Sequence, residues 1–180
     1  MSGKINITDL NIVDLTEDSD ISHFSCGNAE LDTFLAKTAK IAQVEDTSRT
    51  HLAYLNGVLV GFFSLICDNI ARKQIDIEYQ KENYVHKVYP AVKVTRLAVH
   101  REYQGRGIGH ALLYYALGTV YALQKYAACR FVIVDAKPDA IDFYKMFGFH
   151  SNTAAKNKHL LYFDYNEFRR RLDEKADVMA

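Results

Sequence analysis

Between residues 91 and 135 the apolar pattern changes period twice, and few folds accommodate that order. "AVKVTRLAVH" alternates as a strand does. Ile108, Ala111, Leu112, Tyr115, Ala116, Thr119, Val120 and Leu123 then recur at i, i+3, i+4 and i+7, one face of about four helical turns. "RFVIVDA" follows as an unbroken apolar run, the mark of a strand buried on both faces. Strand, helix, strand is a βαβ unit, which makes the two strands parallel neighbours. Ahead of the helix lies Tyr103-Gln104-Gly105-Arg106-Gly107-Ile108-Gly109, with glycine at three alternate positions. Glycine costs roughly 0.5–1 kcal/mol relative to alanine in regular structure, so the spacing points to a backbone that must approach something closely.

The flanking sequence reads as sheet and helix around that unit. A strand is expected within residues 5–15. "CGNAELDTFLAKTAKIAQ" predicts a helix with Asn28 as N-cap, Glu30 and Asp32 complementing the dipole, and Leu31, Phe34, Leu35, Thr38 and Ala42 on one face. "RTHLAYL" and "VLVGFFSLI" are joined by Asn56-Gly57, the two-residue signal for a type I′ hairpin, so they should pair antiparallel. Residues 68–90 are polar and weakly periodic and read as a long excursion. In "AVKVTRLAVH", Val92 and Val94 alternate in one phase and Leu97 and Val99 in the other, which fits either a β-bulge near Thr95-Arg96 or a strand covered on both faces. Pro138 opens a short helix, "PDAIDFYKMFGF", that Gly148 closes; a strand "KHLLYFDY" and a charged helix "NEFRRRLDEKA" complete the chain.

At 180 residues with 49% hydrophobic side chains, two prolines and no repeat or Pro/Gly/Ser linker, the chain is expected to be a single domain over residues 1–180. Its 22 basic and 22 acidic side chains cancel, so no net field advertises nucleic acid or an anionic membrane. The halves differ, however: residues 1–90 carry 8 basic and 13 acidic groups and residues 91–180 carry 14 and 9, so an anionic ligand would prefer the half with the glycine loop. Cys26, Cys67 and Cys129 are odd in number and too widely spaced for a zinc knuckle, which argues against a metal or disulfide framework and fits a reducing cytoplasm. The N-terminal "MSGKINITDLNIVDLTEDSD" has no apolar core of signal-peptide length, and no run approaches the roughly 18 apolar residues of a membrane span. A cytoplasmic protein without a membrane partner is expected.

A loop of small residues between a strand and a helix N-terminus presents backbone N–H groups and the positive end of the helix dipole, which suit phosphate. The dinucleotide fingerprint GxGxxG would need glycine where His110 stands, and the Gly-Lys-Ser/Thr of a Walker A loop is absent. Gln104-Gly105-Arg106-Gly107-Ile108-Gly109 instead resembles the Q/R-x-x-G-x-G/A loop of the GNAT family of acyl-CoA-dependent N-acetyltransferases, and "AIDFYKMFGF" resembles its second signature. The element order is similar from about residue 5 to 165. The resemblance implies an α/β fold with a mixed, largely antiparallel central sheet, a parallel βαβ core and flanking helices. It also implies that main-chain groups of Leu97, Ala98 and Val99 pair with the pantetheine arm of acetyl-CoA, while backbone amides of Gln104, Gly105, Arg106, Gly107, Ile108, Gly109 and His110 hold its pyrophosphate. "FSCGNAELDTFL", "DTSRTHLAYLNGVLVGFFSL" and "YPAVKVTRLAVH" further resemble the GNAT subgroup that includes toxins acetylating the α-amine of aminoacyl-tRNA.

Acetyl transfer from a thioester to an amine needs a neutral amine, donors to the oxyanion and an acid for the leaving thiolate. The matched signature implies Tyr144 as that acid, since a phenol of pKa about 10 is protonated at neutral pH; its spacing from Ala140 and Ile141 fits core packing as well. The sequence departs from many relatives in two places. "AVKVTRLAVH" holds no carboxylate to act as base, and Lys137 stands where an asparagine is common. Without a base, a lysine acceptor of pKa about 10.4 gives up its proton reluctantly, whereas an α-amine of about 7.7–8 needs far less help. No histidine among His51, His86, His100, His110 and His159 is assigned a role, and Arg169-Arg170-Arg171, beside Asp173 and Glu174, reads as a solvated face or an RNA contact. The expected activity is direct transfer to a primary amine, with no metal and no covalent enzyme intermediate. A toxin acting on charged tRNA and a non-catalytic CoA-binding module are the alternatives; tRNA, an antitoxin and a second copy of the chain are the partners left open.

Overall fold

The structure, a computed structural model, describes residues 5, 7–151 and 159–170. Among the described residues seven strands form one sheet: β1 (Leu10–Asp14), β2 (Arg49–Leu55), β3 (Val58–Ala71), β4 (Val88–Val99), β5 (Phe131–Asp135), β6 (His150–Ser151) and β7 (Leu160–Asp164), in the order β1-β2-β3-β4-β5-β7-β6. The pairs β1/β2, β2/β3, β5/β7 and β6/β7 are antiparallel. β3 and β4 also run oppositely, since His100 N–H donates to Val60 O (2.9 Å) at one end and Arg72 N–H to Lys87 O (2.8 Å) at the other. β4 and β5 are parallel, joined through helix α3 (Ile108–Leu123). This is the mixed, largely antiparallel sheet with a parallel βαβ core that the sequence implies.

The chain divides into two compact units, Met1–Ile66 with Val94–Thr119, and Cys67–Lys93 with Val120–Ala180. In the first, a helix begins at Asn28, whose side chain accepts from the N–H groups of Glu30 and Leu31, as the sequence predicts. It does not run through as one α-helix. α1 (Ala29–Thr33) passes through a π-helical turn, Phe34–Thr38, into α2 (Ala39–Val44). Ala39 N–H reaches back to Phe34 O, so one extra residue enters the turn and the buried face becomes Leu35, Ala39 and Ala42, with Thr38 left exposed. Leu35 and Ala39 pack with Leu15, Phe24, Leu52, Phe62 and Ala98. At the β2/β3 hairpin Asn56 and Gly57 have φ of +50° and +80°, the two positive values a type I′ turn requires.

In the second unit the excursion is shorter than the polarity of residues 68–90 suggests. β3 continues to Ala71 and β4 begins at Val88, because Ile70 and Tyr89 are buried with Ile75, Ala91, Phe131 and Tyr162 and carry their polar neighbours into the strands. The intervening residues 72–87 are fastened by Arg72 and Gln80, which exchange hydrogen bonds, and by Tyr162 Oη, which donates to Asp76 (2.8 Å). Ala91 and Val92, consecutive in β4, are both buried, so the strand is covered on both faces there. Val92, Val94 and Ala98 keep one phase of burial across Thr95-Arg96, while Leu97 and Val99 are half-buried. The expected last strand is β7; of the expected terminal helix, residues 165–170 are helical and the remainder lies outside the described residues.

Candidate active site

The glycine loop is built where β4 ends. A 3₁₀ turn, Arg101–Tyr103, follows the strand, and Gln104 bends back so that its Nε2 donates to Val99 O (3.0 Å) and to Cys26 O (2.9 Å). Gly105 and Gly107 then take φ of +73° and +88°, conformations that L side chains rarely adopt. Gly107 O accepts from Ala111 N–H (3.1 Å), the first bond of α3, so the amides of Ile108, Gly109 and His110 occupy the first turn and point out of its N-terminus. Gly109 lies within that helix, so its bare Cα opens the first turn rather than a kink. Arg106 O accepts from Ile5 N–H (3.1 Å), and the Arg106 guanidinium sits 5.1 Å above the Tyr103 ring. Ile108 and Leu112 are fully buried and anchor the helix against β3 at Gly61.

Leu97, Ala98 and Val99 end β4, ahead of the 3₁₀ turn that leads into the loop, in the same unit. The Val99 carbonyl already accepts from Gln104, leaving its second lone pair. On the residue before them, Arg96 stacks over Phe34 (5.0 Å), donates to Thr95 O (2.8 Å) and lies 3.8 Å from Glu30. Sequence reasoning gave Glu30 and Asp32 only a helix-dipole role. Asp32 in fact accepts from Cys26 N–H (2.8 Å) and the Ser25 hydroxyl (2.9 Å); an aspartate four residues after an Asx cap, with Gly27 at φ +82° before it, was the local signal. Burial by itself would raise the Asp32 carboxyl, but hydrogen bonds from Cys26, Ser25 and Gly27 outweigh it and hold the group below its ordinary value.

The second unit holds Tyr144. Pro138 opens a 3₁₀ turn, Pro138–Ala140, that leads into α4 (Ile141–Lys145), and Gly148 at φ +84° ends it while Phe149 N–H donates to Tyr144 O (3.3 Å). The Tyr144 ring is 7% exposed and packs edge-on against Phe143 and Phe149. Burial pushes its phenol up to about 12, and among the described residues no group hydrogen-bonds its hydroxyl. In β4, Lys93 is taken up by Asp135 (2.5 Å), with Asp68 at 4.0 Å. Burial pushes the Cys26 and Cys129 thiols up to about 11 each, so neither is an activated nucleophile at neutral pH. Among the described residues no group of three His, Cys, Asp or Glu side chains could hold a metal ion, and no helix is long and apolar enough to cross a membrane.

The mixed sheet with a parallel βαβ step thus carries a twice-kinked glycine loop at the opening of its crossover helix. The family described as "Acetyltransferase (GNAT) domain" matches residues 24–165. A tRNA-acetylating toxin of Mycobacterium tuberculosis (strain ATCC 25618 / H37Rv) is 32% identical over 136 residues, 75% of this chain and 81% of the toxin. Among solved structures, AtaT complexed with acetyl-methionyl-tRNAfMet superposes with a TM-score of 0.83 at 25% identity, covering 91% of this chain and 99% of that one. AtaTR bound with AcCoA gives 0.76 at 25% identity, covering 92% and 99%. A KacT variant shares the fold, with a TM-score of 0.82 at 23% identity over 90% and 98%. The chain belongs to the GNAT acetyltransferases. It is an acetyl-CoA-dependent N-acetyltransferase.

Proposed function

We propose that this acetyltransferase acts on the α-amine of an aminoacyl-tRNA, as the toxin of a toxin–antitoxin pair, within a single domain spanning residues 1–180 in the cytoplasm. The observation that carries the reading is the tRNA-acetylating toxin that is 32% identical over 75% of the chain. Further support comes from AtaT, whose solved complexes contain acetyl-methionyl-tRNAfMet and, in AtaTR, AcCoA. The family match over residues 24–165 spans both compact units and supports one functional domain. Three free thiols suit a reducing compartment.

Backbone amides from Gln104 to His110 hold the diphosphate of acetyl-CoA, and main-chain groups of Leu97, Ala98 and Val99 pair with the pantetheine arm. The glycines supply what phosphate needs: two positive-φ kinks and a bare first helical turn carrying the positive dipole end. The amine nitrogen attacks the thioester carbonyl, the C–S bond breaks, and Tyr144 passes its hydroxyl proton to the departing sulfur. The phenolate regains a proton from the nitrogen, so acetylamide and CoA thiol leave with the enzyme unchanged. A phenol at about 12 is a weaker acid than an alkyl thiol of about 8.5. Burial raises a thiolate's proton affinity by the same desolvation that raises the phenol's, and this narrows the gap. An α-amine is partly neutral at pH 7, which suits a β4 that carries no carboxylate.

The test offers radiolabelled acetyl-CoA with bulk charged tRNA, uncharged tRNA, a lysine peptide and a polyamine. Label should enter charged tRNA alone and leave with the amino acid when the ester is hydrolysed at mild alkaline pH. Faster acetylation of the lysine peptide or polyamine would overturn the tRNA reading.

A further inference from the structure

We infer that Asp32 is a positioning residue for acetyl-CoA, acting on the glycine loop through two consecutive peptide groups. The inference rests on reading residues 104–110 as the diphosphate loop. The Ser25-Cys26 peptide presents its N–H to Asp32 Oδ1 (2.8 Å) and its carbonyl to Arg101 N–H (2.9 Å). The next peptide, Cys26-Gly27, gives its carbonyl to Gln104 Nε2 (2.9 Å). Asp32 thus holds Cys26 by its N–H, and the carbonyls on either side of that residue's N–H and Cα, those of Ser25 and Cys26, hold the first and last residues of the segment Arg101 to Gln104. Asp32 Oδ2 takes the Ser25 hydroxyl (2.9 Å) and fixes the carboxylate's orientation.

Hydrogen bonds to an anion are stronger than neutral ones, and the one to Cys26 N–H polarises its peptide, so the Ser25 carbonyl becomes a better acceptor while the Cys26 carbonyl is held in place for Gln104. Gly27 at φ +82° turns the chain between Cys26 and the helix that carries Asp32. The far end of the relay is the Gln104 side chain, which also clasps Val99 O (3.0 Å) and so sets the direction in which the chain enters Gly105 and Gly107. Without the clasp the loop must be ordered by the ligand at the moment of binding. That cost falls on acetyl-CoA affinity and leaves the chemical step alone.

The experiment measures acetyl-CoA dissociation constants by calorimetry, with kcat and both KM values, for Asp32→Ala, Asp32→Asn, Gln104→Ala, Asp32→Ala/Gln104→Ala and Gly107→Asp. Asp32→Ala should weaken acetyl-CoA about 10-fold, with kcat within about twofold and the acceptor KM unchanged. Asp32→Asn, which keeps one acceptor oxygen and the side-chain shape, should weaken it about threefold and serves if the alanine variant does not fold. Because Gln104 is reached through the Cys26 that Asp32 holds, whereas Arg101 is held apart from Gln104, the double variant should be weaker than Gln104→Ala by less than the full Asp32→Ala effect. Unchanged affinity in Asp32→Asn and in a folded Asp32→Ala overturns the inference, and so does additivity in the double variant. Gly107→Asp separates the two failures: if it binds acetyl-CoA normally, the loop reading is wrong and the inference falls with it, whereas lost binding there beside intact binding in the Asp32 variants refutes the relay alone.

Discussion

Gly61 in β3 stands directly against the Ala98 carbonyl of β4: a Cβ built at Gly61 lies 2.9 Å from that oxygen and 2.8 Å from Leu112 Cδ1. Leu112 could yield by a rotamer change; the carbonyl belongs to a paired strand and cannot. Gly61→Ala should therefore destabilise the protein by about 1–3 kcal/mol, read as a lower denaturant midpoint. The strain falls on the strand end just before the loop, so the KM for acetyl-CoA should rise as well. An unchanged midpoint would mean that β3 and β4 separate easily.

Tyr144→Phe removes one oxygen from a buried ring that packs on Phe143 and Phe149. Since no described group bonds that hydroxyl, the melting temperature should hold or rise. Turnover should fall about 10²-fold or more with acetyl-CoA affinity little changed, the pattern of a lost general acid. Single-turnover rates on charged tRNA check this, and equal rates would leave Tyr144 a core residue.

At Gly107 the two substitutions differ in kind. A Cβ there meets nothing within 4 Å, so Gly107→Ala costs only the backbone strain of φ +88°, about 1–2 kcal/mol, and should retain part of the acetyl-CoA affinity. Gly107→Asp adds a carboxylate where a diphosphate sits and should abolish binding. Calorimetric titration of both variants separates charge from strain.

The pH dependence follows from two groups. Tyr144, raised to about 12, stays protonated across the accessible range, and the stability linked to its burial is fully present below about pH 10 and lost only as pH climbs through about 12. The acceptor α-amine must lose its proton near pH 7.7–8. The kcat/KM for charged tRNA should thus rise with a midpoint at about pH 8, level off towards about pH 9 and show no descending limb up to there. A falling limb in that window would require a different acid.

Arg130 lies over both the Tyr89 and Phe131 rings, at 4.9 and 4.6 Å, and bonds Asp164 through Nε (3.2 Å) and Nη2 (2.6 Å) and also Tyr79 O. The two side chains are 12% and 2% exposed, so Asp164→Ala strands a buried cation and should cost about 3–5 kcal/mol. Arg130→Met/Asp164→Leu should recover much of that loss in a denaturant titration.

Signals carried by one to four neighbouring residues were legible in the sequence. The Asn28 cap, the Asn56-Gly57 turn, the kinks at Gly105 and Gly107 and the Pro138 and Gly148 boundaries depend on local backbone preference, and each sits where its residue type demands. So does the apolar period of α3, because a helix face repeats whatever it packs on. The glycine loop and the second signature together therefore made the family, the sheet type and the donor readable. Long-range packing decided the rest. The π turn at Phe34–Thr38 exists because Leu35 and Ala39 must both reach one core, and β3 runs to Ala71 because Ile70 is buried in one cluster with Tyr89 and Phe131. Asp32 looked like a dipole partner in the chain, and only the meeting of Ser25 and Cys26 with Arg101 and Gln104 ties it to the loop. Local preference is encoded residue by residue, whereas a hydrogen bond between Cys26 and Gln104 exists only once the whole unit has closed around it.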